Sequence, residues 1–256
     1  MNYAETAKEI RKTVLKMIFS AQVSHIGSNF SCIDILTVLY EKLDPKKDKL
    51  IISKGWVAAS SYALGVRKGY LPQEAIDTFC DGQSKYIGLL EPLGVFGAEF
   101  AGGSMGMGTA AAVAYAWSKK QFNEPGRIVV LESDGGMQVG INWESLWFAD
   151  QHKLNNLTLI IDKNNFQAMS TTEDILNMKR LYGKLKEFGC EVFQIDGHNF
   201  NEIELALSCN SEKPIAIIAN TIKGKGWKRA ENNNLFHYLH LSDEDYKEAL
   251  NELNST

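Results

Sequence analysis

Apolar residues recur at helical spacing over residues 3–20 and again over 31–42, where Ile33, Leu36, Leu39 and Tyr40 share one stripe. DKLIISKG, residues 48–55, is a short apolar run closed by glycine and predicts a buried strand, with a helix over SSYALGVRKG behind it. The stretch 80–103 is glycine-rich and weakly periodic. It predicts a long loop, and long loops in compact domains are often functional. GTAAAVAYAWSKKQ, 108–121, predicts a helix of small residues. Four apolar runs follow at 127–133, 156–162, 191–196 and 214–220, with helical patterns near 139–153, 173–188 and 199–209 between them. Continuous apolar strands alternating with helices mean a parallel sheet covered on both faces. The predicted class is therefore α/β, a doubly wound, mostly parallel sheet with helices on both faces and right-handed crossovers. No repeat, low-complexity segment or linker interrupts the pattern before the tail at 240–256, so residues 1–256 are expected to form a single domain.

Composition narrows the classes of partner. With 27 Lys+Arg against 31 Asp+Glu the net charge is -4, and no basic stripe recommends nucleic acid. Cys32, Cys80, Cys190 and Cys209 are scattered without CxxC or zinc-type histidine spacing. Free thiols fit a reducing compartment. MNYAETAKEIRKTVLKMIFS mixes charges of both signs into its apolar positions and reads as an amphipathic helix, not a signal peptide. No apolar run approaches the ~18 residues that span a bilayer. A soluble cytoplasmic protein is expected, with no membrane partner.

Candidate chemistry gathers at two strand ends. Asp134 stands just past the run at 127–133, and Asn164, thirty residues on, stands just past the next. In an open parallel sheet, ligands bind beyond the carboxyl ends of the strands. A carboxylate and an amide oxygen on neighbouring ends make a hard oxygen site that suits Mg²⁺. Asp-Gly and Asn-Asn are also ordinary turn formers, so spacing alone leaves both readings open. GGSMGMGTAAAVAYAW, 102–117, runs a glycine-rich turn into a helix N-terminus, a place for an anion or simply a site of tight packing. Its glycines 103, 106 and 108 have the wrong spacing and context for a dinucleotide fingerprint. That counts against a nicotinamide-dependent oxidoreductase on the same kind of sheet. His152, His198 and His240 read as surface or capping residues. Trp143, Trp147 and Phe148 read as core or subunit interface, and KKDK (46–49) and SDEDYKE (242–248) as solvated surface.

Four segments together resemble a known family. SDGG…IIDKN is similar to the GDG-(about 30)-N signature of thiamine diphosphate enzymes. GGSMGMG is similar to TGSLGQG, SHIGSNFSCIDILTVLY to GHPGAPLGxADIxxxLY, and TIKGKGWKRAENNNLFHY to TVKGKGxxxxENNxxWHG. In order from residue 24 to 238, they resemble the N-terminal subunit of split transketolases, the diphosphate-binding domain of the full-length enzyme. The resemblance implies a metal, Mg²⁺ with Ca²⁺ or Mn²⁺ able to substitute, on Asp134, the Asn164 side chain and the Phe166 carbonyl. It implies thiamine diphosphate held by Ser28, Gly103, Ser104, Met105, Gly135, Asn164, Lys223 and His237. His25 and His237 would be catalytic, donating to substrate oxygens and shuttling protons near neutral pH. The family's second domain supplies the glutamate that activates the aminopyrimidine, and this chain shows no such domain. A separate C-terminal transketolase-like subunit with the pyrimidine-binding domain is therefore expected, in an α₂β₂ heterotetramer.

Departures from the pattern bear on substrate. SKGH reads SKGW, so Trp56 replaces a histidine, and Leu89 replaces a second one in GLL. Ser133 replaces the first glycine of GDG, and Val139 a glutamate of the carboxylate network in which Glu144 remains. Trp and Leu make a more apolar pocket, less suited to a highly hydroxylated sugar phosphate. The expected activity is transfer of a two-carbon ketol unit on a non-standard sugar or specialised substrate. The alternatives are a noncatalytic subunit that binds cofactor or stabilises a partner, and an ordinary pentose-phosphate transketolase subunit.

Overall fold

A computed structural model describes residues 2–255. In chain order the elements are α1 (Tyr3–Ala21), α2 (Ile26–Lys42), β1 (Lys49–Ile52), α3 (Ala58–Arg67), α4 (Glu74–Asp77), α5 (Met107–Gln121) and β2 (Ile128–Ser133). They continue with α6 (Gly140–Gln151), β3 (Leu157–Lys163), α7 (Thr172–Ile175), α8 (Leu181–Glu187), β4 (Glu191–Asp196), α9 (Phe200–Ser208), β5 (Ile215–Asn220) and α10 (Asp243–Ser255). The five strands are all parallel, in the order β1-β2-β3-β5-β4. Their continuous apolar sequences divide between two cores because successive side chains point to opposite faces. Val129, Leu131, Ile160 and Ile217 join one core with residues of α1, α2, α3 and α9. Ile128, Val130, Leu159 and Ile218 join the other with residues of α5, α6 and α8. The doubly wound class is borne out. Among the described residues no helix is long and apolar enough to cross a membrane.

Three expectations need correction. Helix α2 begins at Ile26, earlier than its apolar stripe, because Ser28, Asn29 and Ser31 of its first turns are buried polar residues and break the periodicity. The helical pattern at 173–188 is two short helices, since Leu176 is extended and the following Met178 is buried in the second core. The two charged runs are only partly solvated. Asp48 is buried and accepts from the Asp44 and Arg127 amides, both at 2.9 Å, while buried Asp245 pairs with Ser242 to begin α10.

One buried ion pair ties the first core together. The Arg11 guanidinium of α1 donates from two nitrogens to the Asp34 carboxylate of α2, each at 2.8 Å. It also donates to the Lys225 carbonyl at 2.9 Å. His198 Nδ1 meets Asp34 at 2.7 Å, and its Nε2 accepts from the Ile222 amide at 2.8 Å. His198, expected on the surface or as a cap, instead links two loops to α2. Burial alone would raise the Asp34 carboxyl, but Arg11 and His198 overrule it and hold the group down at about 2.

This cluster makes an acid-stability prediction. Its contribution is fully present above pH ~4, the unfolded carboxyl value, and is lost as pH falls through about 2. Asp34→Asn leaves Arg11 buried without its countercharge and is expected to cost about 3 kcal/mol at pH 7. In urea unfolding measured from pH 7 to pH 2, the gap between the two proteins should narrow below pH ~4.

Candidate functional site

Where β2 and β3 end, the main chain turns and offers oxygens. The Asp134 amide donates to the Asp162 carbonyl at 3.2 Å, extending the strand pairing by one residue. The buried Asp134 carboxylate accepts from the Gly135 amide at 2.9 Å and the Asn165 amide at 2.6 Å, one bond on each oxygen. Asn164 Oδ1 accepts from the Phe166 amide at 3.0 Å. Each of these oxygens keeps a free lone pair. Among the described residues, the Phe166 carbonyl accepts no hydrogen bond.

Beneath them lies a residue that the motif reading passed over. Asp162 is wholly buried, and its carboxylate gathers Ser31 of α2, Lys54 after β1, and Thr221 after β5. Asn164 Nδ2 reaches the Ser31 hydroxyl at 3.1 Å and Asp162 at 3.5 Å. Lys54 also donates to the Ser28 carbonyl at 2.9 Å. Burial opposes the Lys54 charge, but Asp162 prevails and keeps its ammonium above the ordinary range. Burial likewise opposes ionisation of Asp162, which Lys54, Ser31 and Thr221 hold down nevertheless. Asp134 has no such cation in contact. Burial and the neighbouring Asp162 charge push it up to about 7. An alternation signal existed, because Asp162 and Asn164 are two apart and share a face.

The glycine-rich turn stands beside this rim. Gly106, at φ +80, caps α5, and a Cβ there would lie 2.7 Å from Ile141 Cγ2. Glu132, buried on the other face of the sheet, fastens the turn. Its carboxylate accepts from Ser53 Oγ at 2.5 Å, from the Ser133 amide at 2.8 Å and from the Gly106 amide. Gly103, Ser104 and Met105 are exposed. Among the described residues their amides donate to no protein acceptor, which leaves three adjacent N–H groups for an anion.

The histidines close the site from another side. His25, at φ 76, precedes α2, and its amide donates to the His237 carbonyl at 3.1 Å. The two rings lie 4.7 Å apart, edge to face. Trp56 stacks on His25 with centroids at 4.4 Å and planes 4° apart, its indole half exposed. Lys223 Nζ is 2.9 Å from His237 Nδ1. Burial, aided by Lys223, lowers His25 to about 4 and His237 to about 3. Burial and Lys54 lower Lys223 itself to about 7. Both histidines are thus neutral imidazoles at neutral pH, a correction to their expected titration there.

The remaining expectations divide. Leu89 lies against the glycine turn, 3.1 Å from where a Gly103 Cβ would be. Val139 is half-buried and Glu144 exposed. Trp143 packs on Phe188 in the second core, whereas Trp147 and Phe148 are exposed, which leaves interface as their surviving reading. His240, expected at the surface, is exposed and lines a cavity of about 270 Å³ together with Ser24, His25, Asn29, Trp56 and Cys80.

An open parallel sheet with an oxygen-rich rim and a free-amide turn at its carboxyl edge defines an α/β domain built for an anionic cofactor. Residues 3–254 match the family model described as transketolase, thiamine diphosphate binding domain, and the chain belongs to that family. It is 33% identical over 259 residues to the 6-deoxy-6-sulfo-D-fructose transketolase subunit SqwG of Clostridium sp. (strain MSTE9), covering 96% of this chain and 94% of that one. It is 32% identical to an apulose-4-phosphate transketolase subunit from Actinobacillus succinogenes, with the same coverage. Transketolase from Campylobacter jejuni superposes with a TM-score of 0.89 at 30% identity. There the match covers 99% of this chain but 43% of the longer one.

Asp134 carries a pH-dependent cost to stability. Because its carboxyl is raised, the stability it contributes without ligand is fully present below pH ~4 and is lost as pH rises through about 7. Asp134→Asn should therefore raise the melting temperature of the ligand-free protein at pH 8 by about 3 °C or more. At pH 4 the two proteins should melt nearly together, as scanning calorimetry would show.

Proposed function

We propose that this chain is the diphosphate-binding subunit of a two-subunit transketolase acting on a non-standard sugar. One observation carries the reading: three free amides and a carboxylate, an amide oxygen and a bare carbonyl share one rim of the sheet. The donor set fits the cofactor. The amides of Gly103, Ser104 and Met105 suit phosphate oxygens, and Asp134, Asn164 Oδ1 and the Phe166 carbonyl offer hard oxygens to Mg²⁺, Ca²⁺ or Mn²⁺. Ser28, Gly135 and Lys223 complete the cradle. When bound, thiamine diphosphate supplies the electron sink for a two-carbon ketol unit.

The chain's own residues do the rest. His25 and His237, held neutral by burial, donate to and accept from substrate oxygens without bringing a charge into the site. Trp56 and Leu89 narrow the polar lining and disfavour a fully hydroxylated chain. Relatives named as subunits support a partner; in this reading it is a C-terminal transketolase-like chain with a pyrimidine-binding domain, assembled as α₂β₂. Exposed Trp147 and Phe148 on α6 offer apolar surface for such an assembly.

Calorimetric titration of thiamine diphosphate tests the reading, with the chain alone and with its candidate partner. Binding should require a divalent cation, tighten with the partner and weaken at least ~100-fold in Asp134→Ala and Asn164→Ala. No binding in either format would leave a noncatalytic subunit. In the assembled enzyme, Trp56→His should raise kcat/KM for ordinary ketose phosphates about tenfold relative to the native substrate. An unchanged ratio would remove Trp56 from specificity.

A further inference from the structure

The segment that carries His237 is a single 3₁₀ turn, Asn234–His237, opened by Asn233, whose side chain accepts from the Leu235 amide at 3.1 Å. In a 3₁₀ turn, residues three apart eclipse. Asn234 and His237 therefore lie one above the other, and both meet the same partner. Lys223 Nζ is 2.7 Å from Asn234 Oδ1 and 2.9 Å from His237 Nδ1. The turn cannot drift, because Phe236 between them is buried edge-on against fully buried Trp227 at 4.6 Å. Behind Asn234, its Nδ2 donates to the Ala168 carbonyl at 3.4 Å. Its amide is thereby oriented from both sides: an ammonium demands the oxygen, and a carbonyl demands the NH₂ group.

We infer that Asn234 is a positioning residue that, by holding the Lys223 ammonium on its eclipsed face, makes His237 Nδ1 an acceptor and His237 Nε2 the N–H donor. An ammonium has three donors and no acceptor, so a ring nitrogen facing it must be unprotonated. In a neutral imidazole the proton then resides on the other nitrogen. Without Asn234, Lys223 keeps four methylenes of freedom and no longer registers on Nδ1. The consequence for catalysis rests on the transketolase reading, in which His237 donates to a substrate oxygen. The tautomer itself does not depend on that reading. No motif position pointed to Asn234, which stands between the matched ENN and His237.

The test is long-range ¹H–¹⁵N correlation spectroscopy of the histidine rings in the full chain at pH 6, without cofactor, where Lys223 is an ammonium and both rings are still neutral. His237 is assigned by the resonances lost in His237→Gln. Wild type should show Nδ1 as the bare nitrogen and Nε2 as the protonated one. Asn234→Ala should move both shifts toward a tautomer mixture, and Asn234→Asp, which keeps the acceptor for Lys223, should restore them. A protonated Nδ1 in wild type, or an Asn234→Ala spectrum identical to wild type, would overturn the inference. Should Asn234→Ala fail to fold, Asn234→Leu, which fills the same space without an acceptor for Lys223, takes its place with the same two outcomes. In the assembled enzyme Asn234→Ala should lower kcat about tenfold, with Asn234→Asp recovering most of it. Absent cofactor binding would sink the transketolase reading and leave the ring spectra as they are.

Discussion

The site depends on one buried charge pair, Lys54 with Asp162. Four segments deliver groups to that carboxylate: α2 through Ser31, the end of β1 through Lys54, the end of β5 through Thr221, and the end of β3 through Asn164. A bare carboxylate there would carry a large desolvation cost, so every donor must be in place at once. The sheet order makes this possible, since β3 is central and flanked by β2 and β5. The same pair governs the electrostatics above it. Asp162 makes ionisation of Asp134 costly, and Lys54 adds to the burial that lowers Lys223 and keeps His25 and His237 neutral.

Two buried acids on opposite faces of the sheet divide the work. Asp162 faces α2 and holds the floor beneath Asn164, whereas Glu132 faces α5 and fastens the glycine-rich turn to the loop of Asp134. The glycine-rich turn and the Asn164 side of the rim are thus braced from different layers of the sheet.

Much of this was legible in the chain. The strands were readable because each is apolar on both faces, and Asp134 and Asn164 because they end such runs. The motif resemblance led to His25, Lys223 and His237, which the structure draws together within hydrogen-bonding or ring contact. Asp162 and Lys54 were hidden in plain strand-end sequence, since nothing local says that they meet across 108 positions. The start of α2 was masked by the polar residues that face the site. Neutrality of the histidines belongs to burial and to neighbours distant in sequence, which no spacing encodes.

The backbone around Trp56 and Leu89 is held without help from their side chains. The Trp56 carbonyl accepts from Asn29, whose own Oδ1 accepts from the Ser60 amide and hydroxyl. The Leu90 amide donates to the Gly55 carbonyl, and the Gly102 amide to the Leu90 carbonyl. The side chains at 56 and 89 are therefore fittings on a frame that the main chain holds by itself. Substitution at either position would change what lines the space beside His25 and the glycine-rich turn while leaving the main chain that frames it in place.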